Sequence, residues 1–187
     1  MRIISGKARG TKLYTLEGEN TRPTLDRVKE SIFNIIQGKI EGAKILDLFS
    51  GSGAIGLEFL SRGAECAILC DKSKEAVNII KKNIEKTHME KKAQVINTDF
   101  ENCLEKLRNE QFDIIYLDPP YATDYISKSL EKILQLNIAK EENQIIIETD
   151  DVERIEKEIE NLDVEIVDKR KYGRATIIFL SLKNKNA

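Results

Sequence analysis

The chain has 187 residues, 41% of them hydrophobic and 33% charged, which suits one domain with a small appendage and a core needing no disulfide or metal staple. Ordinary apolar content with only 3 prolines excludes a disordered chain, and apolar runs such as 114–117 and 177–180 are far below the roughly 18–20 residues of a membrane span. The net charge of −2 excludes a general polyanion binder but hides basic ends: residues 1–14 carry four basic side chains, residues 169–187 carry six, and neither stretch has an acid.

In chain order, Met1-Arg2-Ile3-Ile4-Ser5-Gly6-Lys7 lacks the apolar stretch of a secretory signal, so a cytoplasmic protein is expected. Residues 2–15, with Gly6 and Gly10 as turn signals, read as a hairpin. Thr21-Arg22-Pro23-Thr24 then opens a helix over about 24–37, with Thr24 as its cap and Asp26 and Glu30 favouring its first turns. From residue 43 short apolar runs alternate with charged helical stretches. Strands are expected at 44–49, 66–70, 93–97, 112–117, 143–149, 163–168 and 174–182, and helices at 54–62, 73–87, 100–109, 124–136 and 151–161. Gly63 suits a helix C-cap. This alternation implies an α/β fold: a Rossmann-like, seven-stranded, mostly parallel doubly wound sheet whose last two strands are antiparallel. Residues 1–42 form a basic hairpin-and-helix extension, and 43–187 the α/β domain.

Cys66, Cys70 and Cys103 show no CxxC spacing, and His88 is the only histidine. A zinc or iron–sulfur site needs ligands these residues do not supply, so free thiols and no metal are expected.

Residues 51–56, Gly-Ser-Gly-Ala-Ile-Gly, follow a strand and open a helix, and Asp71 ends the next strand. That context is a dinucleotide or nucleoside fingerprint, in which glycines admit a ligand to the backbone, the helix start offers free amides and the acid grips ribose hydroxyls. Asp47, four residues before Gly51, favours one ligand class: it repels a pyrophosphate and attracts the ammonium and sulfonium of S-adenosylmethionine. Asp99 and Asp118 lie at further strand ends, where doubly wound sheets bind ligands.

Strand 112–117 ends in Asp118-Pro119-Pro120-Tyr121. The prolines fix the backbone and remove two amide donors. The Asp118 carboxylate and Pro119 carbonyl then make two acceptors for an exocyclic NH2 group, and Tyr121 offers a ring to stack on its base. Such acceptors stabilise positive charge growing on an amine during methyl transfer, with no metal or covalent intermediate.

These motifs resemble the Rossmann-like, S-adenosylmethionine-dependent methyltransferases of exocyclic amines. The whole chain is similar, more closely, to the bacterial 16S ribosomal RNA guanine-N2 methyltransferase family. The matches are Arg2-Ile3-Ile4-Ser5-Gly6-Lys7 with Arg9-Gly10, Thr21-Arg22-Pro23-Thr24 with Arg27, Phe33-Asn34, Leu60-Ser61-Arg62-Gly63-Ala64 and Lys171-Tyr172-Gly173. The resemblance implies methylation of guanine N2 in 16S rRNA, within the 30S subunit or an assembly intermediate. It implies a cofactor loop at Asp47, Phe49, Gly51, Ser52 and Gly53, ribose binding by Asp71 with Lys72, and adenine binding by Asp99 with Phe100. Lys72 stands next to Asp71 where the family often has Glu first. The resemblance also gives the basic residues Arg2, Lys7, Arg9, Lys12, Arg22, Arg27, Lys171 and Arg174 a role in holding RNA phosphates, and the target guanine must be unstacked to reach the cofactor.

The nearest alternative is an adenine-N6 or cytosine-N4 methyltransferase on DNA or RNA, which the same tetrad serves. Release-factor glutamine methyltransferases usually carry Asn in place of Asp118. An NAD-dependent oxidoreductase would use the glycine loop but finds no hydride-transfer acid–base residue beyond the acids already placed, and a cofactor-binding RNA chaperone without catalysis is the non-enzyme alternative, which an Asp118→Ala variant tests.

Overall fold

A computed structural model describes residues 1–16, 23–120 and 122–183. Among them seven strands form one sheet: β1 (Lys44–Asp47), β2 (Cys66–Asp71), β3 (Ala93–Asn97), β4 (Phe112–Leu117), β5 (Ala139–Thr149), β6 (Val164–Tyr172) and β7 (Ala175–Leu182). Their order is β3-β2-β1-β4-β5-β7-β6. The first five are parallel, and β7 is antiparallel to both β5 and β6. The helices are α1 (Pro23–Ile35), α2 (Ala54–Ser61), α3 (Lys74–Thr87), α4 (Phe100–Lys106), α5 (Tyr125–Gln135) and α6 (Val152–Ile159). The expected α/β fold is therefore the observed one.

Alternation along each strand divides the core in two. Ile45, Ile114, Tyr116, Ile146, Ile177 and Phe179 face a layer built from α1, α2, α3 and the N-terminal segment. Leu46, Ile115, Leu117, Ile145, Ile147, Ile178 and Leu180 face α4, α5 and α6. Helix α3 shows the pattern plainly: Ala76, Val77, Ile80, Ile84 and Thr87 recur at helical spacing and are buried, and the Ser73 hydroxyl caps it by accepting from the Ala76 N–H.

Residues 2–15 differ from a regular hairpin. Arg2 and Lys12 form one isolated antiparallel bridge, with Ile3 N–H donating to Thr11 O and Leu13 N–H to Met1 O. Gly10 N–H also donates across to Ile3 O, but much of the intervening backbone bonds outward to α2. Ile4 and Ser5 N–H donate to the Glu58 carboxylate, Lys7 N–H to Ser61 O and Ala8 N–H to Ser61 Oγ. Gly6 (φ +83°) is needed here, because a Cβ at this position would lie 1.8 Å from Ser61 O.

Thr24 is not the helix cap. Pro23 is already the first residue of α1, a position its fixed φ and missing N–H suit. Strand β5 starts earlier than expected because Ala139 pairs with Phe112, ahead of an irregular stretch before pairing resumes at Gln144, and β6 runs longer because its exposed Lys169-Arg170-Lys171 still pair with β7. Gly63 (φ +112°) does follow α2, directly after the C-cap Arg62. Cys70 and Cys103 are buried and Cys66 half-buried, all as free thiols. No helix among the described residues is long and apolar enough to cross a membrane.

Candidate active site

The sheet reverses its winding between β1 and β4, the position at which doubly wound folds open a crevice beyond their strand ends. A cavity of about 630 Å³ lies there, a size that suits a small-molecule site. Asp47 ends β1 and Asp71 ends β2, while Asp99 and Asp118 follow β3 and β4. All four line this cavity, together with Phe49, Gly51, Ser52, Lys72, Phe100, Pro119 and Pro120. Gly53 lies just behind the lining at the N-cap of α2. Tyr121 and Arg22 lie outside the described residues.

The glycine loop is held by its neighbours. Ser50 N–H donates to Cys70 O (2.9 Å), and Ser50 Oγ donates to Asp47 O (2.7 Å). Gly51 N–H donates to Asp71 Oδ2 (2.9 Å), while Asp71 Oδ1 accepts from Ser73 N–H (2.8 Å). Asp71 thus fixes the loop and keeps lone pairs for a ligand hydroxyl. Gly56 lets α2 settle on the sheet: a Cβ there would lie 2.8 Å from Leu69 Cδ2 and 3.4 Å from Asp47 Oδ2. Its N–H donates to Asp47 Oδ2 (3.1 Å).

Asp47 is 1% exposed. Burial lifts its pKa to about 7, against the opposing pull of the Gly56 and Ser50 hydrogen bonds. No described basic residue forms an ion pair with it among the salt bridges present. A buried carboxylate facing a cavity in this state fits a cationic ligand.

Asp99 caps α4, accepting from both the backbone and side-chain N–H groups of Asn102 (2.9 and 2.6 Å). Those bonds hold its carboxyl below the usual carboxylate range. Phe49, Phe100 and Tyr125 form an aromatic wall with centroid separations of 4.9–6.1 Å. Beyond the prolines, Thr123 Oγ1 donates to Pro120 O (2.8 Å) and Arg154 donates to Thr123 O (3.1 Å), which pins the loop leading into α5.

Arg2, Lys7, Arg9, Lys12, Arg27, Lys171 and Arg174 are exposed and do not line the cavity. They gather nonetheless. Arg2 pairs with Asp26 on α1 (3.0 Å), and the Tyr172 and Ser31 hydroxyls bond the β6–β7 turn to the same helix. Arg27 is one helical turn from Ser31. The two basic ends therefore meet at α1.

Sequence reasoning missed Asn83, Glu58, Tyr116 and Glu148. Buried Asn83 donates to Tyr14 O and Ser52 O and accepts from Tyr14 N–H, which ties the N-terminal segment to the glycine loop. Tyr116 and Glu148 line the cavity beside Val28, Lys29 and Ile32 of α1. Only Glu148 carried a usable signal, since it is an acid at the end of an apolar strand, as Asp47 is.

The fold is that of the class I methyltransferases. A solved structure named as a methyltransferase from Escherichia coli matches it with a TM-score of 0.84 at 25% identity, over 99% of both chains. Residues 1–181 match the family described as Conserved hypothetical protein 95. A Bacillus subtilis protein named as an rRNA methyltransferase is 41% identical over 152 residues, covering 80% of this chain and 83% of its own. Ribosomal RNA small subunit methyltransferase D of Haemophilus influenzae is 36% identical over 152 residues, covering 80% of this chain and 79% of its own. The chain belongs to this family, and these two relatives are named as ribosomal RNA methyltransferases.

Proposed function

We propose that this protein transfers a methyl group from S-adenosylmethionine to the exocyclic N2 amine of a guanine in 16S rRNA, in the cytoplasm and on the small subunit or its assembly intermediate. The observation that carries the reading is one cavity shared by the glycine-loop acids and the Asp118-Pro119-Pro120 strand end, in a chain of this family. The cofactor supplies an electrophilic methyl on a sulfonium. Asp47 balances the cofactor's positive charge. Asp71 takes the ribose hydroxyls, with Lys72 alongside. Asp99, Phe100 and Phe49 enclose the adenine. Ser52 and the amides near Gly51 and Gly53 border the amino-acid end.

Asp118 and the Pro119 carbonyl accept from the target amine and orient its lone pair toward the methyl. They also stabilise the charge that builds on nitrogen. Pro120 stiffens this turn, and Tyr121 stacks on the base. Residues 1–42 serve as the RNA-contacting extension. Arg2, Lys7, Arg9, Lys12, Arg22, Arg27, Lys171 and Arg174 hold phosphates around the flipped nucleotide.

The test offers methyl-labelled S-adenosylmethionine with small subunits lacking the modification, naked 16S rRNA, DNA and a protein extract. Label is expected in N2-methylguanosine, strongest on the particle. Label in N6-methyladenine or N4-methylcytosine would leave the fold and overturn the guanine assignment.

Asp47 makes cofactor affinity depend on pH. The cationic cofactor binds the ionised carboxylate, whose pKa near 7 means it is largely protonated below pH 7. Binding must then release a proton, so affinity is expected to weaken as pH falls from 7 to 5.5, by up to about tenfold per unit. Calorimetry across that range checks this, and an Asp47→Asn variant should bind weakly with a flat profile. A flat wild-type profile would contradict the contact.

A further inference from the structure

The geometry points to Glu148 as the residue that selects guanine, by accepting a hydrogen bond from the N1–H of the target base while Asp118 and the Pro119 carbonyl hold its N2 amine. This rests on the guanine-N2 reading above. In the parallel pairing of β4 with β5, Leu117 faces Ile147. Asp118 and Glu148 each come one residue later, at the same end of neighbouring strands, about 4.8 Å apart across the sheet. Tyr116 and Ile146 face the core layer that holds α1, so Glu148, two residues after Ile146, emerges on that face beside Asp118. Both acids line the cavity.

Glu148 is a costly residue in its position. It sits in a run whose neighbours Ile145, Ile146, Ile147 and Thr149 are buried. Among the described residues its carboxylate accepts a single side-chain hydrogen bond, from the Tyr116 hydroxyl at 2.9 Å, and it forms none of the ion pairs. Burial raises its pKa, and the Tyr116 bond pulls the other way. The second carboxylate oxygen retains acceptor capacity toward the cavity.

Base chemistry supplies the matching donor. Guanine presents N1–H next to its N2 amine, so two adjacent donors meet two adjacent carboxylates. Adenine presents a ring-nitrogen lone pair next to N6, and cytosine one next to N4. Either would set a lone pair against Glu148 and leave both unpaired. The two acids therefore read the donor–donor edge that only guanine offers.

The experiment replaces the methylated guanine, once mapped, with 2-aminopurine in reconstituted particles. This base keeps the N2 amine but has a lone pair at N1. Wild type is expected to prefer guanine by roughly 10- to 100-fold in kcat/KM, the size of one charge-assisted hydrogen bond. Glu148→Gln, whose amide can donate to that lone pair, should bring the ratio near one with cofactor binding unchanged. Glu148→Asp should restore part of the preference. Tyr116→Phe, which keeps the carboxylate but frees its anchor, should lower the ratio partway and serves as the test if Glu148→Gln fails to bind cofactor. An unchanged ratio in a variant that binds cofactor would overturn the assignment of Glu148 alone. Wild-type label on a base other than guanine would overturn the guanine reading and this assignment with it.

Discussion

Replacing Asp118 with Ala is expected to cut methyl transfer by about 10²–10⁴-fold while cofactor binding survives. The range is that of losing one oriented acceptor and the charge stabilisation it provides at a water-excluded site. The cofactor contacts proposed here come from β1, β2, β3 and the glycine loop, all remote in sequence from β4, so affinity for S-adenosylmethionine should change little. Asp118→Asn should be partly active, because the amide oxygen still accepts but carries no charge. Single-turnover rates with labelled cofactor, alongside calorimetric affinity, separate the two effects. Equal loss of binding and turnover in Asp118→Ala would mean that Asp118 serves the cofactor instead of the amine.

Replacing Glu58 with Ala is expected to destabilise the protein by about 3–5 kcal/mol, the cost of stranding a buried charge. Glu58 is fully buried on α2 and has four partners. It accepts from Ile4 and Ser5 N–H (2.8 and 3.0 Å), and it pairs with Lys29 (3.1 Å) and Arg62 (2.8 Å). The Lys29 side chain is 5% exposed, and burial lowers its pKa against the pull of Glu58. Removing Glu58 leaves that ammonium without its carboxylate and two backbone amides without an acceptor. For a chain of this size the loss corresponds to a Tm lower by roughly 6–20 °C. Scanning calorimetry measures it, and hydrogen exchange at Ile4 and Ser5 should accelerate. A Tm within a degree or two of wild type would show that water or a rearranged Lys29 replaces the carboxylate. Removing Lys29 as well, in Lys29→Met with Glu58→Leu, should recover the part of the loss due to the stranded ammonium, while the Ile4 and Ser5 amides and Arg62 remain without their acceptor.

How much of this was legible in the sequence follows from the kind of force involved. The parallel strands were readable because burial on both faces demands continuous apolar runs, as in Ile114-Ile115-Tyr116-Leu117. Strand β6 read short, since an edge strand exposes alternating polar residues and Lys169-Arg170-Lys171 looks like a loop. The acids of the glycine loop and the Asp118-Pro119-Pro120 turn announced themselves through local spacing. Glu58 did not, because Glu58 and Arg62 at helical spacing look like an exposed surface pair. Only the docking of residues 3–8 onto α2 buries it. Asn83 was equally silent: a polar residue in an amphipathic helix is ordinarily solvated, and its partners at Tyr14 and Ser52 are 69 and 31 residues away. Glu148 was the near miss. The rule that singled out acids at strand ends applied to β5 as well.

The position of β7 bears on how the sheet closes. It comes last in sequence among the described strands, yet it is interior to the sheet, between β5 and β6. Its residues alternate between the two halves of the core, Ile177 and Phe179 in one and Ile178 and Leu180 in the other. Neither half of the core is complete until β7 has taken its place, and β6 pairs with no other described strand. Loss of β7 is therefore expected to open apolar surface on both faces of the sheet at once and to leave β6 undocked.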